Sequence, residues 1–521
     1  MCSTTGSAPC IIAGGDTGPV SPVNPPSPVS TSTANPSPTP IMTIPTECTS
    51  SLRPEFSFDS SAGSTGRLYA KGEGCFTMTH IYEFLGTKTD GSSKGPIYML
   101  DGDGEVVKKP TGVTKKWLLA ADMFVTGGGV FYCIGSELDG DCDEFRIQST
   151  GPDDYHEVRG HGGSMYFSHT IVTSWDTPNN KPQEVYEDGR SFINCVSEKA
   201  SEDTCDGATD DEMGECRMDL INSELGYLGW FDAESYGLTW KVRGFCKDLS
   251  NPDVFETTNV YGDIFNCDIH HNYYGHYTYG HQGGVWDNNK MHDNWQYGFD
   301  PHDDSDYLTI SNNVVYGNVN HGIIASKRCN NVKIFGNNVS DGGPQASGIF
   351  LHRSSDDAEV YDNTITNMHA GITLLESFGA TIYDNKIDGV EYGVRLKVGS
   401  GDNEIFNNEI NDCSIYALYT YLGADGPTEG ISDGRPSGNA FRNNDISNTV
   451  TAVQLKTTDD MSITDNRFSG TEKLRFWDAQ DTTWSGNSLP EDVCKTVIVS
   501  GNGGSVPEST FVSSAEVPPD C

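Results

Sequence analysis

From about residue 260 onward, apolar and polar residues alternate in very short runs, LTISNN, VKIFGNN, AEVYDN, ATIYDN, NEIFNN, NAFRNN and MSITDN among them, and each run ends on an asparagine. Alternation with a period of two turns one set of side chains inward and the other outward, as in a half-buried strand. The marker asparagines, read as Asn289, Asn313, Asn338, Asn363, Asn385, Asn408, Asn444, Asn466 and Asn487, recur at spacings of 24, 25, 25, 22, 23, 36, 22 and 21. A period in the twenties built from short strands and Asn/Gly turns predicts a solenoid in which each coil stacks on the last. Propellers repeat at about 40 residues or more, and leucine-rich repeats need a Leu framework that is missing here. The expected fold is all-β, a right-handed parallel β-helix. Its asparagines should hydrogen-bond in a ladder at the strand spacing of about 4.8 Å. Asn338-Val339-Ser340 matches a glycosylation sequon, but as a ladder member Asn338 is expected to be buried and unmodified. The 36-residue interval holds the Gly/Pro-rich stretch 422–430, read as a loop leaving one coil.

A second strand in each coil follows a glycine, at Gly237, Gly275, Gly298, Gly322, Gly348, Gly371 and Gly393. Counted from it, the first and third positions are mostly apolar (Phe299 and Pro301, Ile349 and Leu351, Val394 and Leu396), so this face enters the core and the second and fourth positions point out. The fourth column reads Lys241, Tyr279, His302, Ser326, His352, Leu375, Lys397, and the fifth, where alternation is expected to fail, includes Asp303, Lys327, Arg353 and Glu376. Acid/base and cationic groups therefore line up across neighbouring coils.

Outside the repeat, residues 1–47 are dominated by Pro, Ser and Thr and read as a disordered linker. Residues 48–114 read as β structure closing the N-terminal end, 115–490 as the β-helix, and 491–521 as a C-terminal tail pinned by Cys494 and Cys521. Met1-Cys2-Ser3 leads into polar residues rather than an apolar core, so no signal peptide is expected at Met1.

Composition sharpens the picture in two ways. With 74 Asp+Glu against 33 Lys+Arg the net charge is −41, which repels nucleic acid and anionic membrane surfaces, so any polyanionic partner needs a local basic groove. Fifteen cysteines scattered without a metal-like CxxC pair predict several disulfides and an exported protein, secreted to the extracellular space or cell wall. No stretch of about twenty apolar residues is present. A monomer is expected, with neither nucleic acid nor membrane as partner.

The densest chemistry lies in Tyr297-Gly298-Phe299-Asp300-Pro301-His302-Asp303-Asp304-Ser305. On an outward strand beside Tyr297 and Asp300, His302 is placed as a general base. Lys241, Lys327, Arg328, Arg353, Arg395 and Lys397 at equivalent positions suit an extended anionic polymer, with Tyr279 and His352 in the same substrate-binding column.

YGFDPHDDS resembles the DPHD motif of the mannuronan C5-epimerases, which convert mannuronate to guluronate within alginate. The pattern is most similar to the bacterial periplasmic and brown-algal branches. The resemblance continues through HGIIASKR (321–328), SGIFLHRSS (347–355) and HAGITLLES (369–377), and upstream through IVTSWD (171–176), DGRSF (188–192) and SELGYLGWFDAESYG (223–237). It implies that His302 takes the C5 proton, that Asp300 and Asp303 shape and orient it, and that Tyr297 or a water returns a proton from the opposite face. It also implies a cation on the substrate carboxylate, for which Lys327 is favoured and Arg328 is the rival. No redox cofactor is needed, no metal site is expected, and the GGxGxD nonapeptides that bind Ca2+ are absent, which leaves open only a single ion in an acidic loop. Three rivals share the residues: a polyuronate lyase that expels the C4 oxygen from the same intermediate, a non-catalytic polysaccharide-binding β-helix, and a glycoside hydrolase using Asp300, Asp303 and Asp304, which would need neither His302 nor a neighbouring lysine.

Overall fold

The computed structural model describes residues 52–498 and 518–521, apart from 64, 108–114, 188, 199–212, 233–234, 244–254 and 256–257. The expected linker therefore lies outside the described residues. Short strands from successive coils build three long sheets of 16, 14 and 16 strands, which are parallel along the body of the solenoid. This is the right-handed parallel β-helix that the repeat predicts. Inward positions stack like on like: Ile310, Ile334, Val360, Ile382, Ile405, Phe441, Ile463 and Trp484 follow one another on successive rungs of the second sheet, all buried. At the N-terminal end the stack is covered by a helix, Met78–Leu85, which the sequence reading did not include; it buries Met78, Ile81 and Tyr82. At the other end Cys494 and Cys521 are joined by a disulfide, alongside Cys133–Cys142 and Cys195–Cys216.

The asparagine ladder exists, with one correction: its third member is Asn337, not Asn338. Asn313 Nδ2 donates to Asn337 Oδ1 at 2.9 Å, and Asn337 Nδ2 to Asn363 Oδ1 at 2.9 Å. Asn338 instead opens the strand Asn338–Ser340 and is exposed, so the sequon asparagine is not buried. The reason is conformational. Each ladder asparagine follows a residue in the left-handed region, such as Asn312 (φ 54°), Asp362 (φ 53°) or Asp384 (φ 53°), and in this coil that residue is Gly336 (φ 66°). The turn therefore ends one position earlier than the N-N dipeptide suggested. Each ladder amide also donates to a backbone carbonyl of the preceding coil, Asn363 Nδ2 to Ile334 O at 2.9 Å for example, so turn groups that water cannot reach are satisfied. Asn363→Ala is expected to lower stability by about 1–3 kcal/mol in urea unfolding, because it removes the acceptor of the Asn337 backbone N–H and the side-chain donor to Ile334 O; Asn338→Ala, on the exposed strand, should change it by less than about 0.5 kcal/mol.

Candidate active site

The strand Phe299–His302 lies in the first sheet, between Tyr274–Tyr279 and Ile323–Ser326, with Tyr279 in register with His302 and His302 with Ser326. At its end, alternation gives way to left-handed backbone on four successive rungs: Asp303 and Asp304, Lys327 and Arg328, Arg353 and Ser354, then Glu376. None of these is glycine, and each left-handed residue costs on the order of 1 kcal/mol. Inter-rung backbone bonds hold them there, Asp303 N to Ser326 O at 2.8 Å and Lys327 N to His352 O at 2.7 Å among them. The turn thus gathers the fifth-column side chains beside His302.

His302 Nδ1 sits against Asp303 Oδ2. Burial alone would raise the Asp303 carboxyl, but contact with His302 and the nearby Lys327 and Arg328 hold it below the usual carboxylate range. Arg328 is committed to these aspartates: its Nη2 reaches Asp303 Oδ1 at 2.8 Å and Asp304 Oδ2 at 2.7 Å, and its Nε reaches Asp304 Oδ1 at 3.0 Å. Lys327 Nζ stands 3.9 Å from Asp303 Oδ2, too long for a good hydrogen bond, with its side chain 43% exposed.

Asp300 departs from expectation. It occupies an outward column, yet is only 1% exposed, and its Oδ1 has no hydrogen-bond partner among the described residues. A cluster of tyrosines adjoins it: Tyr277 is its register partner, Tyr236 lies 4.8 Å from Tyr274 and 5.0 Å from Tyr277, and Tyr274 lies 5.3 Å from Tyr297, ring to ring. Burial raises the Asp300 carboxyl to about 7, with Asp303 adding to the effect and His302 and Lys327 opposing it. Unfolded, the group ionises near 3.8. Between these values the folded chain keeps a proton that the unfolded chain has lost, so stability falls as pH rises through the window and the penalty is complete above it. Asp303, with its depressed value, contributes stability that is lost only in more acidic solution. Asp300→Asn is therefore expected to melt at higher temperature than the parent at pH 8, by an amount equivalent to roughly 4 kcal/mol at most, and to show a smaller advantage at pH 5. Paired thermal melts at the two pH values check this.

Tyr297 precedes the strand, stacked on His321 with ring centroids 5.5 Å apart and planes 7° from parallel. Burial, then Asp300, raises its hydroxyl to about 12, so it is protonated at neutral pH. His321 accepts from Ser347 N through Nδ1 at 2.8 Å, and burial with nearby Arg395 lowers it to about 3. His352, 3.0 Å from Ser326 Oγ, is lowered to about 4 by burial and Arg353. Both are neutral imidazoles at pH 7.

The predicted groove cations are less open than their columns implied. The 36-residue interval does leave its coil as a loop, but it folds back onto this sheet. Arg353 Nη1 donates to Glu376 Oε2 at 2.8 Å and to Thr428 Oγ1 at 3.1 Å, and its Nη2 to Gly426 O at 3.2 Å. Lys397 Nζ lies 3.4 Å from Asp425. Arg395 is held by Thr373, His369 and Ser347 at 3.1–3.3 Å, with no carboxylate at ion-pair distance among the described residues. Lys241 Nζ lies 5.8 Å from the centre of the Tyr279 ring, and burial, then Asp303, raises the Tyr279 hydroxyl to about 12. The sequence reading missed Tyr277, whose ring is 5.4 Å from that of His302 and whose hydroxyl is pushed well up by burial and Asp300. Its position two residues after Gly275, in the column of Asp300, was the available signal. Nothing local in 422–430 marked that stretch as a partner of Arg353 and Lys397.

Fold and site together define a parallel β-helix with a His–Asp–Lys cluster at the edge of one sheet. The profile of a family described as periplasmic copper-binding protein (NosD) matches residues 256–421. Among the described residues there is no group of three or more His, Cys, Asp or Glu placed to hold a metal ion. The chain is 28% identical to a mannuronan C5-epimerase of Pseudomonas putida over 335 residues, 63% of this chain and 59% of that protein. It is 30% identical to the mannuronan C5-epimerase AlgG of Azotobacter vinelandii over 242 residues, 45% and 41% of the respective chains. The crystal structure of the periplasmic alginate epimerase AlgG shares the fold with a TM-score of 0.57 at 18% identity, covering 83% of this chain and 85% of that one. This chain spans less than two thirds of the length of these mannuronan C5-epimerases.

Proposed function

We propose that the chain is a polymer-level mannuronan C5-epimerase, converting β-D-mannuronate to α-L-guluronate within alginate. The observation that carries the reading is His302 held through Nδ1 by Asp303, with Lys327 beside the same carboxylate. A proton on Nδ1 shared with Asp303 leaves Nε2 as the acceptor, the tautomer a general base requires.

The chemistry has to overcome a weak acid. Taking the C5 proton to Nε2 pushes the C–H electron pair into the adjacent carboxylate, giving an enolate-like dianion. A cation that meets this charge as it develops lowers the barrier electrostatically. Lys327 suits that role better than Arg328, whose Nε and Nη2 are already engaged by Asp303 and Asp304. Delivery of a proton to C5 from the opposite face, by the Tyr297 hydroxyl or a water, completes the inversion; the proton on His302 passes to solvent, and the donor, phenolate or hydroxide, takes a proton back from solvent. Asp300 and Tyr277 position the imidazole. Tyr279, His352, Arg353, Arg395, Lys397 and Lys241 line the path of the anionic polysaccharide. The disulfides Cys133–Cys142, Cys195–Cys216 and Cys494–Cys521 support a working place in an oxidising compartment, outside the cytosol.

Incubation with polymannuronate in heavy water, followed by proton NMR, tests the reading. Guluronate carrying deuterium at C5 is the expected product. Unsaturated ends absorbing in the ultraviolet would make the chain a lyase, and no change in the polymer would remove catalysis altogether.

A further inference from the structure

The two outward columns that pass through Asp300 and His302 continue well past the catalytic cluster. Along the first sheet Thr373, Arg395, Tyr419, Gln454 and Arg475 stand in direct register on successive rungs, and Lys456 pairs with Trp477 on the last two. Tyr416, Tyr419, Gln454, Lys456, Arg475 and Trp477 line a cleft of about 320 Å³. Lys456 Nζ lies 4.9 Å from the centre of the Trp477 ring, and that tryptophan is 42% exposed. Arg475 Nη1 donates to the Tyr416 hydroxyl at 3.3 Å.

Two features separate this cleft from ordinary surface. In a chain with more than twice as many acidic as basic residues, neither Lys456 nor Arg475 has a carboxylate within ion-pair distance among the described residues, whereas the nearer cations Arg353 and Lys397 are paired with Glu376 and Asp425. An exposed indole, moreover, shares their face, in register with Lys456 and two residues along the strand from Arg475. Unpaired cations beside an open aromatic ring match a sugar ring that bears a carboxylate: charge meets charge, and the apolar face of the ring stacks on the indole.

We propose that this cleft is a distal subsite for the same polyuronate, resting on the reading of the chain as an alginate-acting enzyme. From the strand of His302 to that of Trp477 is seven steps of the sheet, about 34 Å at the strand spacing. The subsite therefore holds long chains and is out of reach of short ones. It acts by anchoring the polymer, which raises the local concentration of the next residues at His302.

The test compares a mannuronate tetramer with chains long enough to span the seven rungs. Lys456→Gln/Arg475→Gln/Trp477→Ala is expected to raise KM for long chains about tenfold relative to KM for the tetramer, with kcat on long chains within about twofold of the parent. An unchanged ratio of KM values in a variant that melts like the parent overturns the proposal. If the triple variant melts early, Lys456→Gln/Arg475→Gln, which alters only surface cations, replaces it under the same criterion. If the parent converts no polymer, the epimerase reading falls, and affinity electrophoresis in polymannuronate gels then decides the subsite: retardation of the parent lost in the variant supports it, while equal retardation, or none in the parent, overturns it.

Discussion

His302→Asn is expected to lower turnover of polymannuronate by about 10²–10⁴ or more, the range that a positioned general base contributes, while the variant melts within a few degrees of the parent. Asparagine keeps a polar group near Asp303 but cannot accept the C5 proton. His302 is partly exposed at the end of its strand, whereas the core beneath it is formed by Phe299 and its stacked neighbours. Loss of activity is thus separable from loss of fold. The sharper measurement is exchange: in heavy water the parent should wash deuterium into C5 of residues it inverts, and the variant should do neither. Substantial residual exchange in His302→Asn would take the base role away from this residue.

The second large effect distinguishes two neighbouring cations. Lys327→Ala is expected to reduce kcat by about 10²–10³ with little change in KM, because the contact counts mainly when negative charge builds on the substrate carboxyl group. Arg328→Ala should act differently. Its guanidinium bridges Asp303 and Asp304, so removal leaves two adjacent carboxylates unneutralised beside His302. That change should loosen the turn and disturb the orientation of the imidazole. It should lower melting temperature along with activity, and Arg328→Lys should restore only part of either, since an ammonium cannot make the forked contact. Kinetics and thermal melts on the three variants check both statements; a stable Arg328→Ala with a pure kcat defect larger than that of Lys327→Ala would exchange the roles.

How much could be read in advance follows from the range of each interaction. His302, Asp303 and Lys327 were legible because a parallel β-helix converts sequence period into spatial adjacency: residues one coil apart and in register must be neighbours. Asn337 was misread by one place because two adjacent asparagines look alike in a string, and only the left-handed turn at Gly336 separates them. The burial of Asp300 was invisible for another reason. Its tyrosine neighbours come from three coils, Tyr236, Tyr274 with Tyr277, and Tyr297, and the ring packing depends on side-chain directions that alternation does not specify.

The amino-acid pattern alone determined the all-β solenoid, the face that turns outward, the rung on which the acid/base residues sit and the cations on the rungs beside it. These depend on the two-residue alternation of strands and on a repeat length, both local properties of the chain. Tertiary structure alone decided which of those cations are engaged. Arg353 and Lys397 meet a loop 28 to 75 residues further on, Arg328 locks onto Asp303 and Asp304, and among the described residues Lys327, Lys456 and Arg475 are left with weaker contacts or none to a carboxylate. Whether a charge is paired depends on where long side chains and distant loops come to rest in three dimensions, and no periodicity in the sequence encodes that.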